Sequence, residues 1–199
     1  MHHERGFPSR FRLPPLAVGF FGLATGYLIY GPQEFFGFPK RDAQVNLATG
    51  VWGIWMPGFM QFLTGTYILV GMAWLHTFTA GPLYMAGLAF TAYGVHWFAI
   101  GYNRAKGADS RPNGYMAVAF CFISLLGLIV FYHVGDWPVG TLFLGLLLIY
   151  ITDIFASFKL GGRLSEQALG LLHMVVGLWL IYLMFGVTLN FALGFHLTV

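Results

Sequence analysis

Six long apolar runs constrain what this chain can fold into more than any other feature. They cover roughly 14–37, 44–74, 82–102, 114–133, 138–158 and 166–193. A helix crosses the hydrocarbon core of a bilayer with about 20 predominantly apolar residues. Because lipid offers no hydrogen-bond partner, backbone groups inside a membrane are satisfied only within helices or closed barrels. No run shows the period-two alternation of a barrel strand, so we expect six transmembrane helices.

The connections between these runs are short and leave no room for a soluble domain. The chain has 199 residues, of which 58% are hydrophobic and 9% are charged. We therefore predict an all-α, multi-pass protein of the cell (inner) membrane, in which residues 1–199 form a single six-transmembrane-helix bundle. The net charge of +3 does not indicate a nucleic-acid partner, because basic loop residues that face anionic lipid account for it.

The basic residues predict how the bundle is oriented. Three of them, Arg5, Arg10 and Arg12, precede the first run. The loops on the opposite side of the membrane contain the other seven, which are Lys40, Arg41, Arg104, Lys106, Arg111, Lys159 and Arg163. Since loops rich in Lys and Arg stay in the cytoplasm, we expect these seven residues inside and both termini outside.

A few polar side chains interrupt the apolar runs and are the candidate functional residues. Asp153 is the only acidic residue far from a loop or a run end, at a depth where an ionisable group costs about 2.5–3.5 kcal/mol on insertion scales. His96 and His173 come out at a similar depth on other runs. Together these three residues predict a proton relay or a path for a small solute. In the structural alternative, Asp153 reaches toward Lys159 or Arg163, and each histidine binds a backbone carbonyl.

Glycine and proline predict where helices approach and bend. Pro57 lies in the middle of the second run and should kink it, because proline removes one helical hydrogen bond. Gln61 and Gly65 follow Pro57 at i+4 and i+8, so the three share a face that we expect to point inward. Gln61 is thus either a pore residue or a helix-contact residue. In the first run, Gly22 and Gly26 form a small-xxx-small pair that lets membrane helices approach closely.

The sequence contains no motif of a catalytic or cofactor-binding site. It has no metal-ligand spacing, nucleophile elbow, phosphate loop or dinucleotide fingerprint. We therefore do not expect an enzyme, a cofactor or a metal. The expected partners are a small-molecule solute, the lipid bilayer and further copies of this chain.

Several short segments together are similar to a known family of membrane transporters. The segment Phe90-Thr-Ala-Tyr93-Gly-Val-His-Trp97 resembles the family pattern F-T-x-Y-G-x-x-W on the third helix. Gly58–Gly65 resembles its glycine–glutamine pattern on the second helix, Pro15-Leu16 its opening motif, and Ile181–Gly186 the end of its last helix. The opening motif departs from the family at Arg12, where an asparagine is usual. The family is that of the acetate uptake transporters, the succinate–acetate permeases.

This resemblance implies a homo-hexamer in which each six-helix protomer has its own pore. A phenylalanine, a tyrosine and a leucine narrow the pore in that family. The resemblance places these three on Phe21, Tyr93 and Leu148. An apolar constriction of this kind can gate by dewetting.

Further segments resemble a second family of hexameric six-helix proteins. They are Gly81-Pro82, Arg111-Pro112 and Gly135-Asp136-Trp137. They are similar to segments of the urea channel and short-chain amide transporter family. The channel glutamate of that family, in its last helix, falls on His173 here, and a family tryptophan falls on Trp179.

These features favour a channel or transporter for acetate or a similar short monocarboxylic acid. A carboxyl at Asp153 that takes up a proton with each anion would make transport proton-coupled, and His96 or His173 would pass the proton on. Two alternatives stay open. One is a urea or short-chain amide channel, and the other is a non-transporting structural membrane subunit whose inward polar groups serve helix packing alone.

Overall fold

The computed structural model describes residues 15–199, and the regular elements in that range are all helices. In chain order they are α1 (Leu16–Phe36), α2 (Ala43–Gly53), a π-helical segment (Ile54–Phe59), α3 (Met60–Ala73), α4 (Pro82–Lys106), α5 (Arg111–His133), α6 (Trp137–Ser157) and α7 (Arg163–Leu193). These elements begin and end within a few residues of the apolar runs, and the all-helical prediction is confirmed for the described range. Arg5, Arg10 and Arg12 lie outside the described residues.

Length and composition indicate a helical membrane protein. Four helices of the described range, α4 to α7, are each long and apolar enough to cross a bilayer. α1 has 21 residues but carries Gln33 and Glu34 near its end. α2, the π-helical segment and α3 are individually short, yet they follow one another without an intervening loop.

The expected distortion at Pro57 takes the form of a π-helical segment. Proline lacks an N–H and its ring crowds the preceding turn, and a wider turn accommodates both effects. The helix then resumes, with the Met60 N–H shared between the carbonyls of Met56 and Pro57. Pro57, Gln61 and Gly65 are all buried, so the face they share points inward as predicted.

α1 lies against α7, the π-helical segment and α3. Gly22 and Gly26 allow its close approach to the π-helical segment. A Cβ on Gly22 would lie 2.6 Å from the carbonyl oxygen of Met56, and one on Gly26 would lie 2.7 Å from Cγ of Pro57. Real Cβ atoms do not come this close to other atoms, so the predicted packing role of the glycine pair is confirmed.

α3 with α4 and α5 with α6 form two closely packed pairs, and the two pairs meet each other less closely. α3 packs on α4, and α5 forms a tight hairpin with α6, whereas α4 makes few contacts with α5. An apolar groove of about 670 Å³ remains between α4 and α5, with Val95, Met116 and Ile123 among its walls. His96 also contributes to this groove.

Gly94 is a position at which the packing of α4 against the second run is sensitive to substitution. A Cβ there would lie 2.4 Å from the backbone nitrogen of Phe62 and 2.8 Å from the carbonyl oxygen of Gly58, and backbone atoms cannot move aside. Gly94→Ala should therefore destabilise the fold by about 1–3 kcal/mol. Gly81→Ala is the matched control, since nothing lies within 4 Å of its added Cβ. Thermal unfolding of both variants in detergent measures the difference, and equal melting temperatures would contradict this contact.

Candidate functional site

A polar cavity of about 360 Å³ enters the bundle between α1, α4, α6 and α7. Gly107, Ala108 and Ser110, which are exposed residues of the α4–α5 loop, form part of its wall, so the cavity opens on the side of that loop. Small-molecule sites typically measure about 300–1,000 Å³, and the cavity falls in this range. The side chains that line it include Tyr27, Tyr30, Glu34, His96, Trp97, Arg104, Tyr150, Asp153 and His173.

Three of the predicted functional residues meet at this cavity. His96 from α4, Asp153 from α6 and His173 from α7 all line it. Ionisable groups inside a helical bundle usually face one another or a water-filled cavity, and these three residues line one cavity. No group of three or more His, Cys, Asp or Glu side chains within residues 15–199 is placed to hold a metal ion.

His173 is paired with a carboxylate. Its Nδ1 lies 2.6 Å from Oε2 of Glu34, and the two side chains are only 9% and 8% exposed. His173 also stacks on Tyr27, with ring centroids 4.6 Å apart. The backbone-carbonyl partner that the structural alternative gave to His173 is therefore not observed. Glu34, which lies two residues before the end of α1, is thus a second acidic side chain inside the bundle beside Asp153.

Two glycines bring Glu34 and His173 together. A Cβ on Gly31 of α1 would lie 2.9 Å from the carbonyl oxygen of Gly170 on α7, and a Cβ on Gly170 would lie 2.9 Å from Cβ of Glu34. Each glycine precedes its ionisable residue by three positions, which puts both on the same helix face. The patterns G-x-x-E and G-x-x-H are thus the sequence signal for this pair, but using them requires knowing that α1 and α7 cross here.

Asp153 is held by its own helix. The Ser157 hydroxyl donates a 2.8 Å hydrogen bond to Oδ1 of Asp153. Asp153 forms no ion pair within the described part of the chain, so the reach toward Lys159 or Arg163 does not occur. An ionised carboxylate accepts about four hydrogen bonds, and one hydroxyl leaves most of that capacity for water or a solute in the cavity.

An aromatic cluster, formed by Tyr93, Phe120 and Tyr150, lies on the side of the cavity away from the α4–α5 loop. The Tyr150 hydroxyl lies 3.3 Å from Nδ1 of His96, so His96 also has a side-chain partner rather than the backbone carbonyl of the structural alternative. Tyr93 stacks on Tyr150 at 5.8 Å and lies 5.4 Å from Phe120, centroid to centroid. Its hydroxyl shares a 3.0 Å hydrogen bond with that of Ser124.

Phe21 and Leu148 do not share the burial of Tyr93. Phe21 is 41% exposed and Leu148 is 44% exposed, whereas Tyr93 is 3% exposed. On α1 the adjacent Phe20 is the buried residue, and it packs on Phe90 with ring centroids 5.6 Å apart. Tyr93 is thus the member of the predicted constriction that lies in the core.

Gln61 is completely buried but does not line the cavity. Neither its Nε2 nor its Oε1 has a hydrogen-bond partner within residues 15–199, and the same holds for the hydroxyl of Thr64 one turn later. Leaving such groups unpaired in an apolar interior costs stability. Gln61 and Thr64 thus form a second group of buried polar side chains, separate from the cavity.

The fold is similar to that of a solved channel. The match is to the structure of the bacterial acetate channel SatP, with a TM-score of 0.73 and 17% sequence identity, and it covers 92% of this chain and 95% of that chain. No family model matches the sequence, and no curated protein matches it. At this identity the likeness concerns the fold.

The Glu34–His173 pair should show strong energetic coupling. Glu34→Leu and His173→Leu should each destabilise the fold by about 3 kcal/mol, because each leaves a buried polar partner unsatisfied. The double variant should lose clearly less stability than the sum of the losses in the two single variants. Melting temperatures in detergent measure the coupling, and strict additivity would rule it out.

The exposed ion pair of the α4–α5 loop, Asp109 with Arg111, is the control for these measurements on Glu34 and His173. Hydrogen bonds from Arg111 lower the pKa of Asp109 to about 2. Both side chains are largely exposed, at 67% for Arg111 and 47% for Asp109. Because water screens such pairs, Asp109→Asn should leave the melting temperature unchanged.

Proposed function

We propose that the chain is a membrane channel or transporter for acetate or a similar short monocarboxylic acid. The observation that carries this proposal is the polar cavity, which brings ionisable side chains from four helices together inside an apolar bundle. Such groups are costly in a membrane and commonly mark a solute or proton path. The likeness of the fold to that of a solved acetate channel supports the same function. The path would run through a six-helix protomer with its own pore.

The barrier of the closed path would be the aromatic cluster. Its three rings, Tyr93, Phe120 and Tyr150, pack against one another at the deep end of the cavity. A narrow apolar constriction excludes bulk water while a small dehydrated molecule passes when it widens. A contribution of Phe21 and Leu148 to the constriction stays a prediction.

Proton coupling would use the ionisable residues of the cavity. Asp153 faces the space that a carboxylate solute would occupy, and His96 and His173 line the same space. A proton taken up with each anion would make transport electroneutral. Gln61 would not take part in this relay, because it does not line the cavity. It would be a separate polar residue that faces the interior of the bundle.

The surface of the described chain fits a lipid environment and further copies of the chain. Large apolar side chains are exposed around it, among them Phe122 at 68%, Trp55 at 60% and Leu178 at 63%. We propose that these surfaces contact lipid in the cell (inner) membrane and the other subunits of a homo-hexamer.

A urea or short-chain amide channel is the second candidate, and one observation favours it. The urea-channel resemblance places a channel glutamate at His173, and the structure has the carboxylate of Glu34 at 2.6 Å from that histidine. A carboxylate from α1 would then take the place of one from the last helix. The third alternative, a structural subunit that does not transport, would not account for the polar cavity.

Flux measurements in proteoliposomes separate these functions. We expect the reconstituted protein to accelerate uptake of radiolabelled acetate over protein-free liposomes, and to leave urea flux unchanged. Ala156→Trp should reduce acetate uptake by about tenfold or more, because Ala156 lines the cavity and pore diameter controls passage. Leu164→Trp is the control at a position that is 74% exposed. Accelerated urea flux without acetate flux would select the amide channel, and neither flux would select the structural subunit.

Replacing Asp153 by its isosteric amide tests proton coupling. Asp153→Asn keeps the size of the side chain and removes its titration, so the variant should fold but lose the pH dependence of acetate uptake. Asp109→Asn is the control: the lowered pKa of Asp109, about 2, keeps that group ionised throughout an assay between pH 5 and 8. A well-folded Asp153→Asn variant with the wild-type pH profile would show that Asp153 has no role in coupling.

A further inference from the structure

The end of the cavity near the α4–α5 loop contains a cation, Arg104, that forms no ion pair within residues 15–199. The guanidinium carbon of Arg104 lies 4.0 Å from the ring centroid of Tyr30. Its Nη2 is buried and has no hydrogen-bond partner within residues 15–199. The Tyr30 hydroxyl donates to the backbone carbonyl of Thr49. Arg104 is half-buried, and a charge that is partly removed from water is normally paired, so this end of the cavity favours an anion.

A second unpartnered donor shares the same tyrosine. The Trp97 ring meets the Tyr30 ring edge-on at a centroid distance of 5.1 Å, and its Nε1 is also buried without a partner in the described range. Trp97 and Arg104 are seven residues apart on α4, which is about two turns and places them on one face. Both residues line the cavity. Each N–H left unpaired in this way costs the protein its desolvation energy.

The acidic residues that line the cavity do not form an ion pair with Arg104. Glu34 is bound to His173, and Asp153 accepts from Ser157. Glu166 also lines the cavity, but it is an exposed residue of the first turn of α7. A second cation, Arg41, lines the same cavity and adds to the positive charge there.

We propose that Arg104 and Trp97 form a loop-side anion site that binds the carboxylate of a small monocarboxylate in the cavity. The guanidinium of Arg104 supplies charge-assisted hydrogen bonds, which are the strong ones in proteins. Nε1–H of Trp97 supplies a further donor, and the short apolar tail lies against Tyr30 and Ile100. The identity of the anion rests on the proposed function, whereas the requirement for an anion rests on the unpartnered donors.

The loop-side anion site also gives the channel a basis for selecting its solute. A guanidinium attracts a carboxylate but gains little from a neutral amide of the same shape. Arg104 lies at the loop end of α4, before the aromatic cluster, so the anion would be concentrated there ahead of the barrier. Acetamide, which matches acetate in size and lacks its charge, is therefore the discriminating probe.

Saturation-transfer NMR of the acetate methyl group, on the full chain in detergent, measures binding directly. Arg104→Gln should raise the Kd for acetate by about tenfold or more, the factor that loss of a charge-assisted hydrogen bond implies. Arg104→Lys should have an intermediate effect, since the charge stays and the planar fork is lost. Trp97→Phe should weaken binding by a smaller factor. Lys106→Gln, at an exposed residue of the same helix end, should bind acetate as the wild type does, and acetamide should bind all variants equally weakly.

The outcomes separate this site from the proposed function. A folded Arg104→Gln variant with wild-type acetate affinity would overturn the site, even if the protein transports acetate. An equal loss in Arg104→Gln and Lys106→Gln would also overturn it, because the effect would then come from net charge. Loss confined to Arg104 and Trp97 would establish the site, even if proteoliposomes show no acetate flux. If Arg104→Gln does not fold, wild-type affinity in both Arg104→Lys and Trp97→Phe overturns the site, and weaker binding in both supports it.

Discussion

The crossing of α1 and α7 at Gly31 and Gly170 is the contact on which the cavity depends. Without side chains at these two points the backbones come close enough to put Glu34 beside His173. The energy of that buried pair depends on its geometry, since polar groups removed from water need a close partner. The two glycines therefore determine both where the helices meet and which polar groups can exist between them.

The polar groups of the cavity differ in their partners according to how far they lie from the α4–α5 loop. The deep groups have partners from other helices, as His173 has from α1 and His96 has from α6. Near the α4–α5 loop the cavity contains Arg104, which lies over the Tyr30 ring and forms no ion pair within residues 15–199. A solute that enters from the loop would thus meet the guanidinium of Arg104 before His96, which lies two turns deeper on α4. The aromatic cluster lies beyond both.

The sequence predicts the helices and part of the site for clear physical reasons. In a membrane every backbone group must be paired within its own helix, so apolar runs translate directly into helix boundaries. The cost of ionisable groups at depth likewise points to His96, Asp153 and His173, which all line the cavity. Glu34 and Arg104 also line it but could not be predicted from the sequence, because near a helix end burial depends on what packs alongside. Phe21 and Phe20 differ by one position, or about 100° around a helix, and only packing shows which of them is buried.

The π-helical segment has a consequence for how this chain can change in length. A π turn holds more residues than an α turn, so every residue of α3 is rotated relative to an uninterrupted helix. Gly65 faces α4 in this rotated frame, where its added Cβ would strike Thr91. Loss of one residue between 54 and 59 would turn the later contacts by about 100°, and it would bring bulky side chains into places that only glycine fits. Among related chains, we expect insertions and deletions to accumulate in the loop at 74–81 and to be absent from the π-helical segment.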